Sequence, residues 1–155
     1  MEEVFAKHLE FIQNIINRMS NNSFFLKGWN VTVSTAILAL IVGIPKPFFV
    51  VVALFSSLSF WGLDAYYLRQ ERLFRCLYDD LQFSITAKKS KRVKLFNLST
   101  DKYDSQVLSW FRTLWSKSVF GLHGVVVTAV VVAMTTLFVF SFNLKNHAMQ
   151  SPFTI

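Results

Sequence analysis

The feature that most constrains the fold is a long segment without a charged side chain. Residues 119–142, VFGLHGVVVTAVVVAMTTLFVFSF, contain no Asp, Glu, Lys or Arg. A helix of about 20 residues, rising about 1.5 Å per residue, crosses the roughly 30 Å hydrocarbon layer of a bilayer. A buried helix this long and apolar is unusual in a small soluble protein. The segment therefore predicts a membrane-spanning helix.

Two earlier apolar segments predict a transmembrane helical hairpin. They are residues 24–44, in which Lys27 is the one charged residue, and residues 48–63. The intervening PKP at 45–47 does not easily continue a helix. Composition agrees, because 53% of the residues are hydrophobic and 16% are charged, whereas about a quarter are charged in soluble domains. We predict an all-α membrane protein with three spans.

The chain divides into five predicted segments. The N-terminal segment has apolar residues at helical spacing from Phe5 to Met19, which predicts an amphipathic helix. The motif SNNS at 20–23 is expected to end that helix, with Ser23 placed to cap the next one. The segments are a cytosolic amphipathic helix (1–23), the transmembrane helical hairpin (24–68), a basic cytosolic helical segment (69–118) into which the second helix of the hairpin extends, a third transmembrane helix (119–142) and a short tail (143–155).

Charge predicts the orientation. The net charge is +7, which fits nucleic acid, anionic lipid or a topology signal. Most basic residues lie between the second and third spans, so the positive-inside rule places this segment and the N-terminus in the cytoplasm. The acidic start MEEVFAKHLE is not a signal peptide, and we expect the first span to serve as the uncleaved targeting element. The single Cys76 excludes an intrachain disulfide framework.

Asp64 stands where the second span meets the basic segment. If the hairpin folds symmetrically about the Pro45–Lys46 bond, residues whose numbers add up to 91 face each other. Asp64 then lies opposite Lys27, and we predict an ion pair that locks the hairpin. A gating or ion-pathway role and simple exposure at the rim remain as alternatives.

The basic segment has two interpretations. It is either a solvated loop that enforces topology or a contact surface for anionic headgroups, nucleic-acid phosphates or a protein partner. The candidate contact residues are Arg69, Arg72, Arg75, Lys88, Lys89, Lys91, Arg92 and Lys94. Residues 107–117 then place apolar and aromatic side chains on one face, which predicts an interfacial helix or a helix packed on the N-terminal one.

Catalytic and metal-binding signals are lacking. The sequence has no phosphate-binding glycine loop, no HExxH, no GxSxG and no CxxC motif. Asp79 and Asp80 are adjacent and do not share a helix face, and the three histidines are scattered. We therefore predict no enzyme activity, no metal and no cofactor. His123 is either a titratable group or a hydrogen-bonded residue at the membrane interface.

The predicted spans contain several small and hydroxyl residues. Such residues allow helices to approach closely in lipid, either within one chain or between copies that line a narrow path. Three spans do not enclose a wide pore, so a pore requires a homo-oligomer. The candidate residues for helix packing or pore lining are Thr32, Thr35, Ser56, Gly124, Thr128 and Thr135.

Two sequence blocks resemble a widespread bacterial family of small membrane proteins. The first is a core of the form RM-(x)₂-NSF-(x)₂-KGW-x-VT, matched between Arg18 and Thr32, and the second is FWGLDAYYLRQERLFR, from Phe60 to Arg75. A looser third block has the spacing of Phe96, Tyr103 and Trp110. The resemblance covers about the first 115 residues. Members of this family are encoded in antiphage defence loci, including as effectors of retrons.

The resemblance implies an abortive-infection effector, held inactive by a cytosolic partner complex and released to disrupt the inner membrane. For a retron effector, the partner is a reverse transcriptase with its reverse-transcribed DNA. An alternative function is a non-toxic membrane anchor or adaptor that recruits a cytosolic partner through the same basic surface. A weaker alternative is a constitutive small ion channel.

Overall fold

The computed structural model describes residues 2–44, 46–87 and 96–150. Every regular element in these ranges is helical, which confirms the all-α class. The elements are α1 (Glu2–Gly43), α2 (Pro47–Thr86), a 3₁₀-helix (Asp101–Gln106), α3 (Trp110–Leu114) and α4 (Lys117–Gln150). By length and composition, α1, α2 and α4 are three helices able to cross a membrane.

Helices α1 and α2 form an antiparallel hairpin. The connection is short because Lys46 adopts an extended conformation (φ −100°, ψ 133°) and Pro47 occupies the first turn of α2. Proline suits that position, since its missing N–H has no helical partner there. The 42 residues of α1 span about 63 Å at 1.5 Å per residue. This is about twice the thickness of a hydrocarbon layer, so α1 is about twice as long as one membrane crossing requires.

The predicted helix break at 20–23 is wrong. Helix α1 continues through these residues. Ser23 does not cap a new helix, because its hydroxyl donates to the Asp64 carboxylate of α2. Intrinsic preferences of Ser and Asn against the helix interior amount to a few tenths of a kcal/mol per residue, which tertiary contacts override. Similarly, α4 continues into the segment predicted as a tail, as far as Gln150.

One hydrophobic core lies at the end of the hairpin away from Lys46. It joins α1, α2 and the 3₁₀-helix, and Val107 packs against it. We call it the end core; its buried residues are Ile12, Ile16, Leu73, Leu77, Leu81 and Tyr103.

A second core lies near the hairpin turn and joins α1, α2 and α4. We call it the span core; its buried residues are Ile41, Val50, Ala53 and Val130. Along α1, Asn30 contacts His123 of α4 and the later Ile41 lies in the same cluster as the later Val130, so α4 runs in the same direction as α1. In the most apolar windows of α1, α2 and α4, only 17%, 28% and 11% of the residues are buried within the chain. Most residues of these windows are thus at least partly open to their surroundings.

The segment predicted as an interfacial helix is helical only at Trp110–Leu114. The Ser109 side chain accepts a hydrogen bond from the Arg112 backbone N–H at its start. The helix packs on α2, not on α1. Phe111 and Trp115 are 70% and 68% exposed, so this segment retains an aromatic surface outside the chain's own core.

Candidate functional site

Asp64 is completely buried between α1 and α2. Lys27 Nζ lies 2.8 Å from Asp64 Oδ1 and 2.7 Å from Oδ2. The Ser23 hydroxyl donates to Oδ1, and Lys27 Nζ also donates to Ser23 Oγ at 2.8 Å. The structure therefore brings together the two residues that the hairpin register placed opposite each other.

Helix α4 contributes His123 to the same carboxylate. His123 Nε2 lies 3.0 Å from Asp64 Oδ2, and both side chains are fully buried. An ionised carboxylate only accepts hydrogen bonds, so Nε2 carries the proton of this contact. One acidic side chain thus connects all three long helices.

Helix α1 contacts the other nitrogen of the imidazole, Nδ1. His123 Nδ1 lies 2.6 Å from Asn30 Nδ2, and the Ser34 hydroxyl donates to Asn30 Oδ1 at 3.2 Å. Since Nε2 carries the proton in neutral His123, Nδ1 is the acceptor and the Asn30 amide donates to it. We call this set the polar network: Ser23, Lys27, Asp64, His123, Asn30 and Ser34.

The polar network balances its own charge. Lys27 and Asp64 contribute one positive and one negative charge, and the remaining members are neutral when His123 is neutral. Unpaired charges inside a membrane or a protein core are expensive, whereas a hydrogen-bonded pair offsets much of that cost. Loss of one member leaves the other charge buried, so this arrangement strongly favours one relative position of α1 and α2.

Tryptophans cover the network on the side of α3. Trp61 stacks on His123, with ring centroids 6.4 Å apart and an angle of 8° between the planes. Its Nε1 donates to the Leu114 carbonyl at 3.0 Å, and Trp110 Nε1 donates to the Gly62 carbonyl at 3.0 Å. These two reciprocal bonds fix α3 beside the turn of α2 that carries Asp64.

The arginines predicted as contact residues have different environments. Arg69 bonds to the Asp104 carboxylate and to the Leu108 carbonyl, which ties α2 to the segment before α3. Arg75 is paired with Glu71 on the same helix. Arg72 lines, with Arg75, a groove of about 320 Å³. Lys88, Lys89, Lys91, Arg92 and Lys94 lie outside the described residues.

A second cluster of charged residues lies beside Tyr103 of the end core. Asp80 accepts hydrogen bonds from Lys102 Nζ at 2.6 Å and from the Tyr103 hydroxyl at 2.7 Å. The hydrogen bond from Lys102, followed by that from Tyr103, lowers the pKa of Asp80. The same hydrogen bond, which Lys102 donates to Asp80, raises the pKa of Lys102. Burial raises the pKa of the Tyr103 hydroxyl.

The hydroxyl residues predicted to pack or line a path lie mainly outside the helix interfaces. Thr32, Thr35, Thr128 and Thr135 are exposed, whereas Ser56 and Gly124 are half-buried. Thr32, Ser56, Thr128 and Thr135 bond to carbonyls of their own helices. The exposed threonines therefore do not contribute to packing between the helices of one chain.

Sequence reasoning missed several members of the polar network. It considered Thr35 and Ser56, whereas their neighbours Ser34 and Ser57 are the buried residues. Asn30 had no predicted role. A signal was present, because a polar amide inside a predicted span is costly unless another helix satisfies it.

No group of three or more His, Cys, Asp or Glu side chains in the described ranges is arranged to hold a metal ion.

Comparisons with protein-family models, curated proteins and solved structures found no match. The fold alone therefore defines the class: an all-helical chain with three helices long and apolar enough to cross a membrane.

Proposed function

We propose that this chain is an antiphage effector that permeabilises the bacterial inner membrane when a cytosolic partner complex releases or triggers it. In this proposal α1, α2 and α4 span the membrane, and the end core, the 3₁₀-helix and the basic segment lie in the cytoplasm. Several copies associate on activation and produce a leak. The resemblance of the two sequence blocks to antiphage effectors supports the biological context.

The observation that carries the proposal is the buried Lys27–Asp64–His123 contact between the three long helices. A membrane anchor needs only apolar helices, and ionisable groups inside spans are expensive and usually functional. The paired network holds the three helices in the arrangement seen here, and in this proposal activation separates the pair and lets the helices rearrange. This favours an effector that changes state over a passive adaptor.

The large apolar surface supports association of several copies. Most of each apolar window is unburied within the chain, and Thr128 and Thr135 lie exposed on one side of α4. Hydroxyl residues of this kind support close helix contacts between chains.

The partner is expected on the cytoplasmic end. The groove beside Arg72 and Arg75 and the basic residues at 88–94 provide positive charge that suits reverse-transcribed DNA bound to a reverse transcriptase, or another acidic regulator. Binding through this surface should weaken as the salt concentration rises.

The test is inducible expression in bacteria, with membrane potential followed by a dye alongside growth, before and during phage infection and with the neighbouring genes present. We expect depolarisation before growth arrest once the trigger acts. The informative variant is Asp64→Asn, which breaks the network and should change the onset of depolarisation. Glu3→Gln is its matched control, because Glu3 forms an exposed pair with Lys7. Intact potential throughout a triggered infection would favour the adaptor.

A further inference from the structure

The polar network is a continuous row of hydrogen-bonded side chains along the hairpin, which we call the file. From Lys27 to Ser34 it follows α1 for about 10 Å at 1.5 Å per residue. Lys27 retains 19% exposure of its side chain, whereas Asp64 retains none. The file therefore begins at a rim that water reaches and continues inward between buried side chains.

The hairpin register places one more buried polar group at the depth of Ser34. Ser57 is fully buried, and its hydroxyl has no hydrogen-bond partner in the parts of the chain that the structure describes. In the hairpin register Ser57 stands opposite Ser34, since their numbers add up to 91. A buried hydroxyl without a partner is unfavourable, so its presence here calls for a function or a transient partner.

Between these two serines and the hairpin turn, the buried residues that the structure describes are all apolar. The next buried layer is the span core, formed by Ile41, Val50, Ala53 and Val130. From Ser34 to the end of α1 at Gly43 the distance is about 14 Å at 1.5 Å per residue. Apolar constrictions of this kind close paths through membranes by excluding water.

We propose that the polar network, together with Ser57, is one half of a proton path that the span core closes in this structure. The inference rests on the proposed function and specifies what the leak carries. Opening the span core would admit water to Ser57 and Ser34 and complete the path.

The tautomer of His123 suits transfer toward the rim. An incoming proton binds the lone pair of Nδ1, which faces Asn30, after that amide rotates away. The resulting imidazolium releases the proton of Nε2 to Asp64 Oδ2, 3.0 Å away. Asp64 then returns the proton to water at the rim beside Lys27. One proton enters and one leaves, which leaves the ring protonated on Nδ1; loss of that proton to water and uptake of another at Nε2 restore the first tautomer.

The geometry favours protons over metal cations. Adjacent groups of the polar network lie within hydrogen-bond distance: His123 and Asn30 are 2.6 Å apart, and Ser34 and Asn30 are 3.2 Å apart. These contacts leave no gap for a hydrated ion. The Lys27 ammonium also occupies the position beside Asp64 that a cation would take.

The test uses the full chain in phosphatidylethanolamine–phosphatidylglycerol vesicles that enclose a pH-sensitive dye. A potassium gradient with valinomycin supplies the driving potential. The double substitution Ala53→Ser with Val130→Thr puts hydroxyls into the span core, and we expect proton flux at least tenfold above that of the unmodified chain. Potassium flux without valinomycin and release of a small dye should not rise.

Two further variants in this double background decide the role of the network. Ser57→Ala removes a hydroxyl that stabilises nothing in the described structure, and should reduce proton flux at least fivefold. Ser59→Ala is its matched control, because Ser59 is exposed and bonds only to the Phe55 carbonyl; its flux should not change. His123→Asn should also abolish flux, provided that circular dichroism shows an unchanged helix content.

Equal proton flux in the Ser57 and Ser59 variants would overturn the path. So would a double variant without proton flux, or one that leaks potassium and dye as readily as protons. Each of these results leaves triggered depolarisation in cells to be judged separately, because the cell assay requires a leak of any kind. Failure of the proton path is thereby distinguished from failure of the proposed function.

Discussion

Removal of one charge from the Lys27–Asp64 pair tests whether this ion pair holds α1 and α2 together. The substitutions are Lys27→Met, which keeps most of the aliphatic stem, and Asp64→Asn, which keeps the shape. Both single variants and the double variant together form a thermodynamic cycle. The cycle separates the coupling between the two side chains from their individual contributions to packing.

The magnitude follows from burial. Breaking a buried ion pair costs about 3–5 kcal/mol, because the remaining charge stays buried. Lys27→Met strands the fully buried carboxylate, so we expect a loss of about 3 kcal/mol in the free energy of unfolding. Asp64→Asn strands the ammonium, which can extend toward water, and should cost about 2 kcal/mol. The coupling energy should be about 2 kcal/mol, so the double variant should be more stable than the sum of the single losses predicts.

The assay is reversible unfolding in mixed micelles of a mild detergent and dodecyl sulfate, followed by circular dichroism. The matched control is the same cycle at Glu3 and Lys7, whose side chains are 80% and 67% exposed. An exposed pair of this type on one helix couples by about 0.3–0.5 kcal/mol. If the Lys27–Asp64 coupling were no larger than that of the control, the ion pair would not hold the hairpin.

Three further predictions concern the parts of the chain around the network. Trp110→Phe removes the hydrogen bond to the Gly62 carbonyl and should lower the free energy of unfolding by about 0.5–1.5 kcal/mol in the same micelle assay, whereas Phe111→Leu, at an exposed position, should have little effect. The hydrogen bond from Lys102 is the largest cause of the lowered pKa of Asp80. The ionised Asp80 therefore stabilises the fold fully above pH 3.8, the ordinary pKa, and this stabilisation is lost as the pH falls through the lower pKa of the folded state. Acid unfolding of Asp80→Asn should lack this pH-dependent loss of stability. Burial lowers the pKa of His8, so stability should be greatest above pH 6.5 and fall as the pH drops below it; His8→Phe, which keeps a ring beside Phe96, should remove that dependence, and an unchanged pH profile would contradict this assignment.

The sequence predicted the helical class and the three apolar helices because those properties depend on local composition. The Lys27–Asp64 proximity was also accessible, since an antiparallel hairpin with a short turn has a register that can be counted along the chain. The continuity of α1 through Ser23 was not accessible, because propensity at 20–23 favours a break and only contacts with α2 oppose it.

The remainder of the polar network could not be predicted because it depends on the rotation and depth of α4. A helix rotated by one residue turns its side chains by 100°, so apolar periodicity too weak to fix one face leaves the partner of His123 undetermined. Residues 119–142 are apolar on all sides, which predicts a span but not which face meets α1. The same uncertainty explains why a candidate such as Thr35 is exposed, whereas the adjacent Ser34 is buried.

The contacts of α3 connect the two ends of the molecule. The segment that carries α3 is tied to α2 on both sides of Asp64: Trp110 bonds to Gly62, and Arg69 bonds to Asp104 and to the Leu108 carbonyl. Trp61 completes the connection, because it bonds to Leu114 and stacks on His123. A regulator that pulled this segment from α2 would remove the tryptophan cover of the network before it disturbed any apolar contact within the spans. Under the proposed function, the cytoplasmic partner therefore acts on the state of the membrane helices through these few hydrogen bonds.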